Sequence, residues 1–224
     1  MSVNLTLYKS ILSNLEASKA TLVAVSKMKP VSDIQTLYNT GQRDFGENYV
    51  QELQEKQPQL PQDIRWHFIG HLQSNKVKYI APYVHLIHGV DSLKLLQAIA
   101  KEGEKQKRKI KCLLQVFVAQ EETKFGLSPL ETIELVKLWQ GRGANNYVQI
   151  CGIMGMASFT ENQEQLRAEF KQLSGIFDTL KKDFFSTEKD FNILSMGMSS
   201  DYQLAIEEGS SMVRIGSLLF GNRI

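Results

Sequence analysis

Lys27 follows the short apolar run Thr21 to Val25 in the segment TLVAVSKMKP, and that placement could give an amine chemistry. Leu22, Val23, Ala24 and Val25 are apolar on both faces, as in a parallel strand covered on both sides, and Pro30 opens a new helix. An amine at the carboxyl end of such a strand can lose part of its water shell. Desolvation disfavours the ammonium and lowers its pKa toward the range in which it attacks a carbonyl. The competing reading is a solvated lysine at a strand end, which is what most lysines are.

Two further stretches have the composition of an anion site. Met196-Gly197-Met198-Ser199-Ser200-Asp201 offers a glycine for close backbone approach and hydroxyls at a helix N-terminus, where free N–H groups favour an anion. Arg214-Ile215-Gly216-Ser217 repeats the pattern of a glycine followed by a hydroxyl. Each alone also reads as ordinary capping chemistry. Together they fall after the seventh and eighth strands, where a barrel commonly holds a phosphate.

Other motif searches are empty. His67, His71, His85 and His88 form no HExxH pattern, and neither a Walker loop nor GxGxxG occurs. His67 and His71 are four apart but straddle a strand end, so no metal site is expected; His85 and His88 read as wall or surface residues. Cys112 and Cys151 sit in apolar runs and read as reduced core thiols of a cytosolic protein. The run Lys105-Gln106-Lys107-Arg108-Lys109 reads as the solvated end of a helix, its cations complementing the dipole.

The elements that must position these residues alternate. Val3 to Ala20 has helical spacing, followed by strands at 21–25, 44–46, 65–70, 84–89, 110–119, 148–154, 191–196 and 212–215. The intervening helices are expected at 31–40, 49–57, 72–80, 91–107, 129–139, 161–182 and, capped by Ser199 or Ser200, up to Gly209. Eight such units with a helix in front predict an α/β fold, a single (β/α)8 TIM-type barrel with an extra N-terminal helix. A doubly wound open sheet is the alternative. The 224 residues, 42% hydrophobic and 22% charged, suit one domain over 1–224, and a formal net charge of +2 argues against a nucleic-acid or membrane surface. No apolar stretch reaches the ~18 residues of a membrane span, and a soluble, cytoplasmic monomer is expected.

The blocks AVSKMKP (Ala24 to Pro30), FGENYVQE (Phe45 to Glu52), WHFIGHLQSNK (Trp66 to Lys76), VDS (Val90 to Ser92) and SMGMSSDYQLAIEEGSSMVRIGSLLFG (Ser195 to Gly221) follow one another over nearly the whole chain. In this order they resemble the pyridoxal phosphate homeostasis proteins, single-domain relatives of the alanine racemase barrel. The resemblance implies pyridoxal 5′-phosphate (PLP) held as a Schiff base on Lys27, with a role in vitamin B6 and amino-acid balance and no established reaction. It further implies that Ser199, Ser200, Gly216 and Ser217 hold the phosphate, Arg214 meets the pyridine nitrogen, and Asn48 and His67 line the pocket. PLP-dependent enzymes are the implied acceptors.

Two departures stand out. Ser217 replaces a threonine usual in relatives, and GIMGMASFT (Gly152 to Thr160) lacks an expected proline. The alternative functions are a weak PLP-dependent racemase and a barrel binding a sugar phosphate with Lys27 as an aldolase-type lysine. Racemisation needs a second base opposite Lys27. In the related racemases, the resemblance implies, that base is a tyrosine from another domain. The internal candidates, Tyr49 and Tyr202, read as packing residues.

Overall fold

The β-branched run at Thr21–Val25 (β1) pairs on one side with Asp44–Glu47 (β2) and on the other with Met212–Ile215 (β8), both in parallel, and this double pairing closes the sheet. A computed structural model describes residues 3–119, 125–143 and 146–221. The remaining strands are Arg65–Phe68 (β3), Leu86–Val90 (β4), Ile110–Phe117 (β5), Val148–Met156 (β6) and Ile193–Ser195 (β7). They form a closed barrel in the order β1 to β8, as expected from the alternating pattern, and the open sheet is excluded.

Helices run outside. They are Leu5–Glu16 (α1), Val31–Asn39 (α2), Val50–Lys56 (α3), Val77–Ile80 (α4), Leu93–Lys105 (α5), Pro129–Gln140 (α6), Gln163–Asp183 (α7), Tyr202–Glu207 (α8) and Ser217–Phe220 (α9). Their starts follow local chemistry. Ser92 accepts from the Leu95 N–H, and Ser128 with Glu131 makes a full capping box ahead of Pro129. The main core lies between these helices and the outer faces of the strands; Val23, Leu86, Leu113, Cys151, Met154 and Met212 make a second cluster from strands alone, inside the barrel.

Several expectations are corrected. Neither Ser199 nor Ser200 caps α8: Asp201 is the N-cap residue, and its carboxylate accepts from the Met198 N–H at 2.6 Å, folding back on the loop. The helix expected over 72–80 is a 3-10 turn at Ser74–Lys76 and the single turn α4. The short α9 after β8 was not foreseen; its end receives Asn4 N–H at the Leu219 carbonyl, joining it to α1. Arg108 is no solvated terminus, because its guanidinium donates to the carbonyls of Ala81 and Val84. Cys112 and Cys151 are free and buried, as expected, and burial pushes both thiol pKa values up. No helix among the described residues is long and apolar enough to cross a membrane.

Gly152 shows why the barrel tolerates little change at one seam. Its φ is +148° at an irregularity in the β5–β6 pairing, and a Cβ there would lie 1.8 Å from the Ile193 carbonyl oxygen.

Candidate ligand-binding site

Lys27 sits two residues past β1 on a turn whose geometry is enforced from behind. Met28 takes φ +61°, a left-handed conformation costly for a side-chain-bearing residue. The turn is held by Ser26 N–H to the Gly46 carbonyl at 3.0 Å, Lys29 N–H to the Ser26 carbonyl at 3.0 Å, and Met28 N–H to Glu52 Oε1 at 2.5 Å. Beneath it lies a buried ion cluster. Ser26 Oγ donates to Glu47 Oε1 at 2.6 Å, and Lys56 Nζ donates to Glu47 Oε1 and the Ser26 carbonyl at 2.8 Å and to Glu52 Oε1 at 2.6 Å. Burial raises the Glu47 carboxyl pKa although Lys56 and Ser26 pull it down. Lys29 is turned away, donating to the Phe220 carbonyl at 2.8 Å, and Lys27 is half-buried.

The loops after β7 and β8 meet beside this turn. Gly216 N–H donates to Ser199 Oγ at 3.3 Å, and Arg214 N–H donates to the Gly197 carbonyl at 3.0 Å. Gly197 has φ +93°, and a Cβ there would come within 2.6 Å of Ala205. A Cβ on Gly216 would stand 3.2 Å from the Val25 carbonyl oxygen, a tight contact, so glycine favours the close approach of β8 and β1 at their carboxyl ends. Ser200 and Ser217 are exposed around this point and Ser199 is half-buried. Asn48, directly after β2, carries a buried Oδ1 with no hydrogen-bond partner among the described residues. The structure thus gathers Ser199 and Gly216 directly, with Lys27, Asn48 and Ser217 at the ends of β1, β2 and β8.

Arg214 lies in the barrel interior. Its guanidinium donates to the Ser195 carbonyl at 3.0 Å, Ser195 Oγ at 2.7 Å and the Gly155 carbonyl at 3.0 Å, with no carboxylate among these acceptors. Burial brings its pKa down to about 10, against a small opposing pull from Asp201. From Ser195 the polar contacts continue across the barrel. Ser195 Oγ is 3.5 Å from His88 Nδ1, His88 Nε2 is 2.9 Å from His67 Nδ1, and His67 Nε2 is 2.9 Å from Asp44 Oδ1.

Arg214 can only donate and the ionised Asp44 can only accept. With one proton on each ring the chain is satisfied in one sense, Arg214 to Ser195 to His88 to His67 to Asp44. His67 therefore reaches Arg214 only through two intermediaries. It also lines a cavity of about 400 Å³ with Thr21, Asp44, Arg65, Lys111 and Met212, residues at the amino ends of their strands and opposite Lys27. His88, read from sequence as wall or surface, is completely buried, and burial holds its pKa well below the usual histidine range.

Sequence reasoning missed Glu47, Lys56, Asp44, His88 and Ser195 as parts of these networks. For all but Lys56, which ends α3, the available signal was polar residues set into otherwise apolar strands, since a buried strand should not carry them unpaired. Tyr49 does not pack as expected: it is 55% exposed, whereas Tyr202 is buried with its hydroxyl accepting from Asn14 at 3.1 Å. In the segment that lacks the expected proline, buried Ser158 is pinned by its N–H and hydroxyl to Glu169, at 2.6 and 2.8 Å. Lys124 lies outside the described residues.

The family model described as alanine racemase, N-terminal domain, matches residues 4–223. The pyridoxal phosphate homeostasis protein of Schizosaccharomyces pombe is 40% identical over 205 residues, 90% of this chain and 84% of that protein. The human protein of the same name is 39% identical over 220 residues, 94% of this chain and 79% of its own. Among solved structures, PipY of Synechococcus elongatus with PLP bound superposes with a TM-score of 0.84 at 34% identity, covering 96% of this chain and 99% of PipY. An alanine racemase of Clostridium difficile, 17% identical, shares the fold with a TM-score of 0.76, over 99% of this chain and 61% of that one.

Proposed function

Because the chain belongs to the alanine racemase N-terminal domain family, and within it to the pyridoxal phosphate homeostasis proteins, we propose that it binds PLP and acts in vitamin B6 and amino-acid balance. The observation that carries this reading is the meeting of three loops. The Lys27 turn leaves β1 where Gly216 closes on Val25, and Ser199 Oγ ties the β7 loop to the Gly216 N–H. The residues present fit the cofactor, since Asn48 Oδ1 is a buried acceptor lacking a donor among the described residues and the Gly216 backbone is uncovered by any side chain of its own.

When bound, PLP supplies an aldehyde that an amine can capture and an electron-withdrawing ring. Lys27 is the amine, presented by a turn that Glu47 and Lys56 lock in place. Ser199, Ser200, Gly216 and Ser217 supply hydroxyls and backbone N–H groups for the phosphate. A guanidinium beside a ring nitrogen has no proton to give up, so Arg214 keeps the ring a weak electron sink. His67 acts at one remove, through His88 and Ser195. This set favours holding the cofactor over turnover, with release to PLP-dependent acceptor enzymes as the expected outlet.

The test is the absorption spectrum of the purified protein, followed by borohydride reduction and peptide mapping. The cofactor should map to the peptide containing Lys27, and Lys27→Ala should be colourless. Label on the peptide containing Lys29 or Lys124 would overturn the assignment.

A further inference from the structure

The geometry points to a binding site for a divalent transition-metal ion of the zinc class at the amino-terminal mouth of the barrel, held by Asp44, His67 and His85. Each of these residues offers one ligand atom, and the three atoms lie within 4.8 Å of one another. Ligands ~2.0–2.2 Å from a tetrahedral zinc stand ~3.4 Å apart. His67 Nε2 and Asp44 Oδ1, at 2.9 Å, are already near that spacing, so the ring of His85 supplies the remaining movement. Two imidazoles and one carboxylate suit zinc and its neighbours better than calcium or magnesium, which prefer oxygen alone. No sequence spacing announces this set, because its members come from β2, β3 and the residue preceding β4.

A bare trio of side chains would not suffice, but here the surroundings are those of a metal centre. Metal-bound histidines usually have the second ring nitrogen held, and bound carboxylates are themselves hydrogen-bonded. His67 Nδ1 is held by the fully buried His88 at 2.9 Å, and Arg65 donates to both oxygens of Asp44, its Nε at 2.7 Å from Oδ1. An ion pair of Asp44 with Arg65 explains those two residues without a metal. It leaves His85 unexplained: the residue is half-buried, lines the cavity, and has no hydrogen-bond partner for its ring nitrogens among the described residues.

The cavity of about 400 Å³ supplies an entry path and room for a water or anion in the open coordination position. Lys19, Arg65 and Lys111 border it and oppose a bare cation, which weakens the expected affinity. On binding, the His67 proton moves from Nε2 to Nδ1 and the His88 proton from Nε2 to Nδ1, so that His67 donates to His88 Nε2 and His88 in turn faces Ser195 Oγ as a donor. Each ring keeps one proton. The site is at the far end of the barrel from Lys27, and it stands or falls independently of PLP.

The experiment is a calorimetric titration of the intact, chelator-dialysed protein with Zn²⁺, repeated with Co²⁺ while its visible d–d bands are recorded. One ion per chain is expected, with the intense visible bands of a four-coordinate nitrogen and oxygen site. His85→Ala keeps the backbone bond to the Trp66 carbonyl and removes a ring whose nitrogens have no hydrogen-bond partner among the described residues, so it should keep the fold and weaken binding about tenfold or more. Cys151→Ser, in the same cavity, should bind as the parent does. Absence of binding heat, unchanged affinity in His85→Ala, or a thiolate charge-transfer band that vanishes in Cys151→Ser would each overturn the assignment.

Discussion

Lys56 Nζ stands 2.8 Å from Glu47 Oε1 and the same distance from the carbonyl of Ser26, the residue immediately before Lys27. A charge pair with side chains 8% and 0% exposed therefore supports the one amine on which the proposed function depends. Removing one partner strands the other. Lys56→Met should cost about 3–5 kcal/mol because it leaves the Glu47 carboxylate buried and uncompensated. The double variant Lys56→Met with Glu47→Gln should recover a substantial part of that loss. Urea denaturation of Lys56→Met, Glu47→Gln and the double variant reads the coupling, and additive losses would show that the pair acts separately.

Gly216 should be the least replaceable residue of the anion cup. Gly216→Val would put a side chain against Val25, 3.2 Å from Cβ to carbonyl oxygen, and should abolish PLP binding in a protein that still folds. Ser199→Ala removes a single hydroxyl. If that hydroxyl bonds the phosphate with charge assistance worth ~1.5–3 kcal/mol, affinity should fall about tenfold or more. Equilibrium dialysis against PLP separates the two, and unchanged affinity in both variants would move the phosphate elsewhere.

Arg214 can be tested through the colour of the bound cofactor. Arg214→Glu replaces a group that cannot give up a proton by one that can share it, so the absorption maximum should shift. Because the guanidinium is buried among three acceptors, the variant must first be shown to fold by circular dichroism. Ser195→Ala is the milder companion, removing the 2.7 Å contact while leaving Arg214 in place, and should give a smaller shift. An identical spectrum in both folded variants would take Arg214 out of the site.

The barrel was legible because its strands are apolar on both faces and separated by amphipathic runs, a rhythm that only a few folds satisfy. Met212–Ile215 and Val31–Asn39 were placed almost to the residue for that reason. Short elements were harder. One turn of helix at Val77–Ile80 or Ser217–Phe220 leaves too few positions for a period to show. The loops around Ser199 and Gly216 were legible through glycine and hydroxyl chemistry. The polar line from Asp44 through His67 and His88 to Ser195 was not, since its members come from β2, β3, β4 and β7 and become neighbours only when the sheet closes.

β7 is three residues long and shares a single paired position with β8, Ser195 with Met212. The loops leaving these two strands are joined by the Ser199 to Gly216 contact. An anion that bonds both loops fastens the scantiest seam of the barrel, so occupancy and closure become one equilibrium. At a free ligand concentration 100 times its dissociation constant, the folded state gains about 2.7 kcal/mol. The lifetime of such a chain is then a gauge of supply: abundant ligand preserves it, and scarcity exposes it to proteolysis.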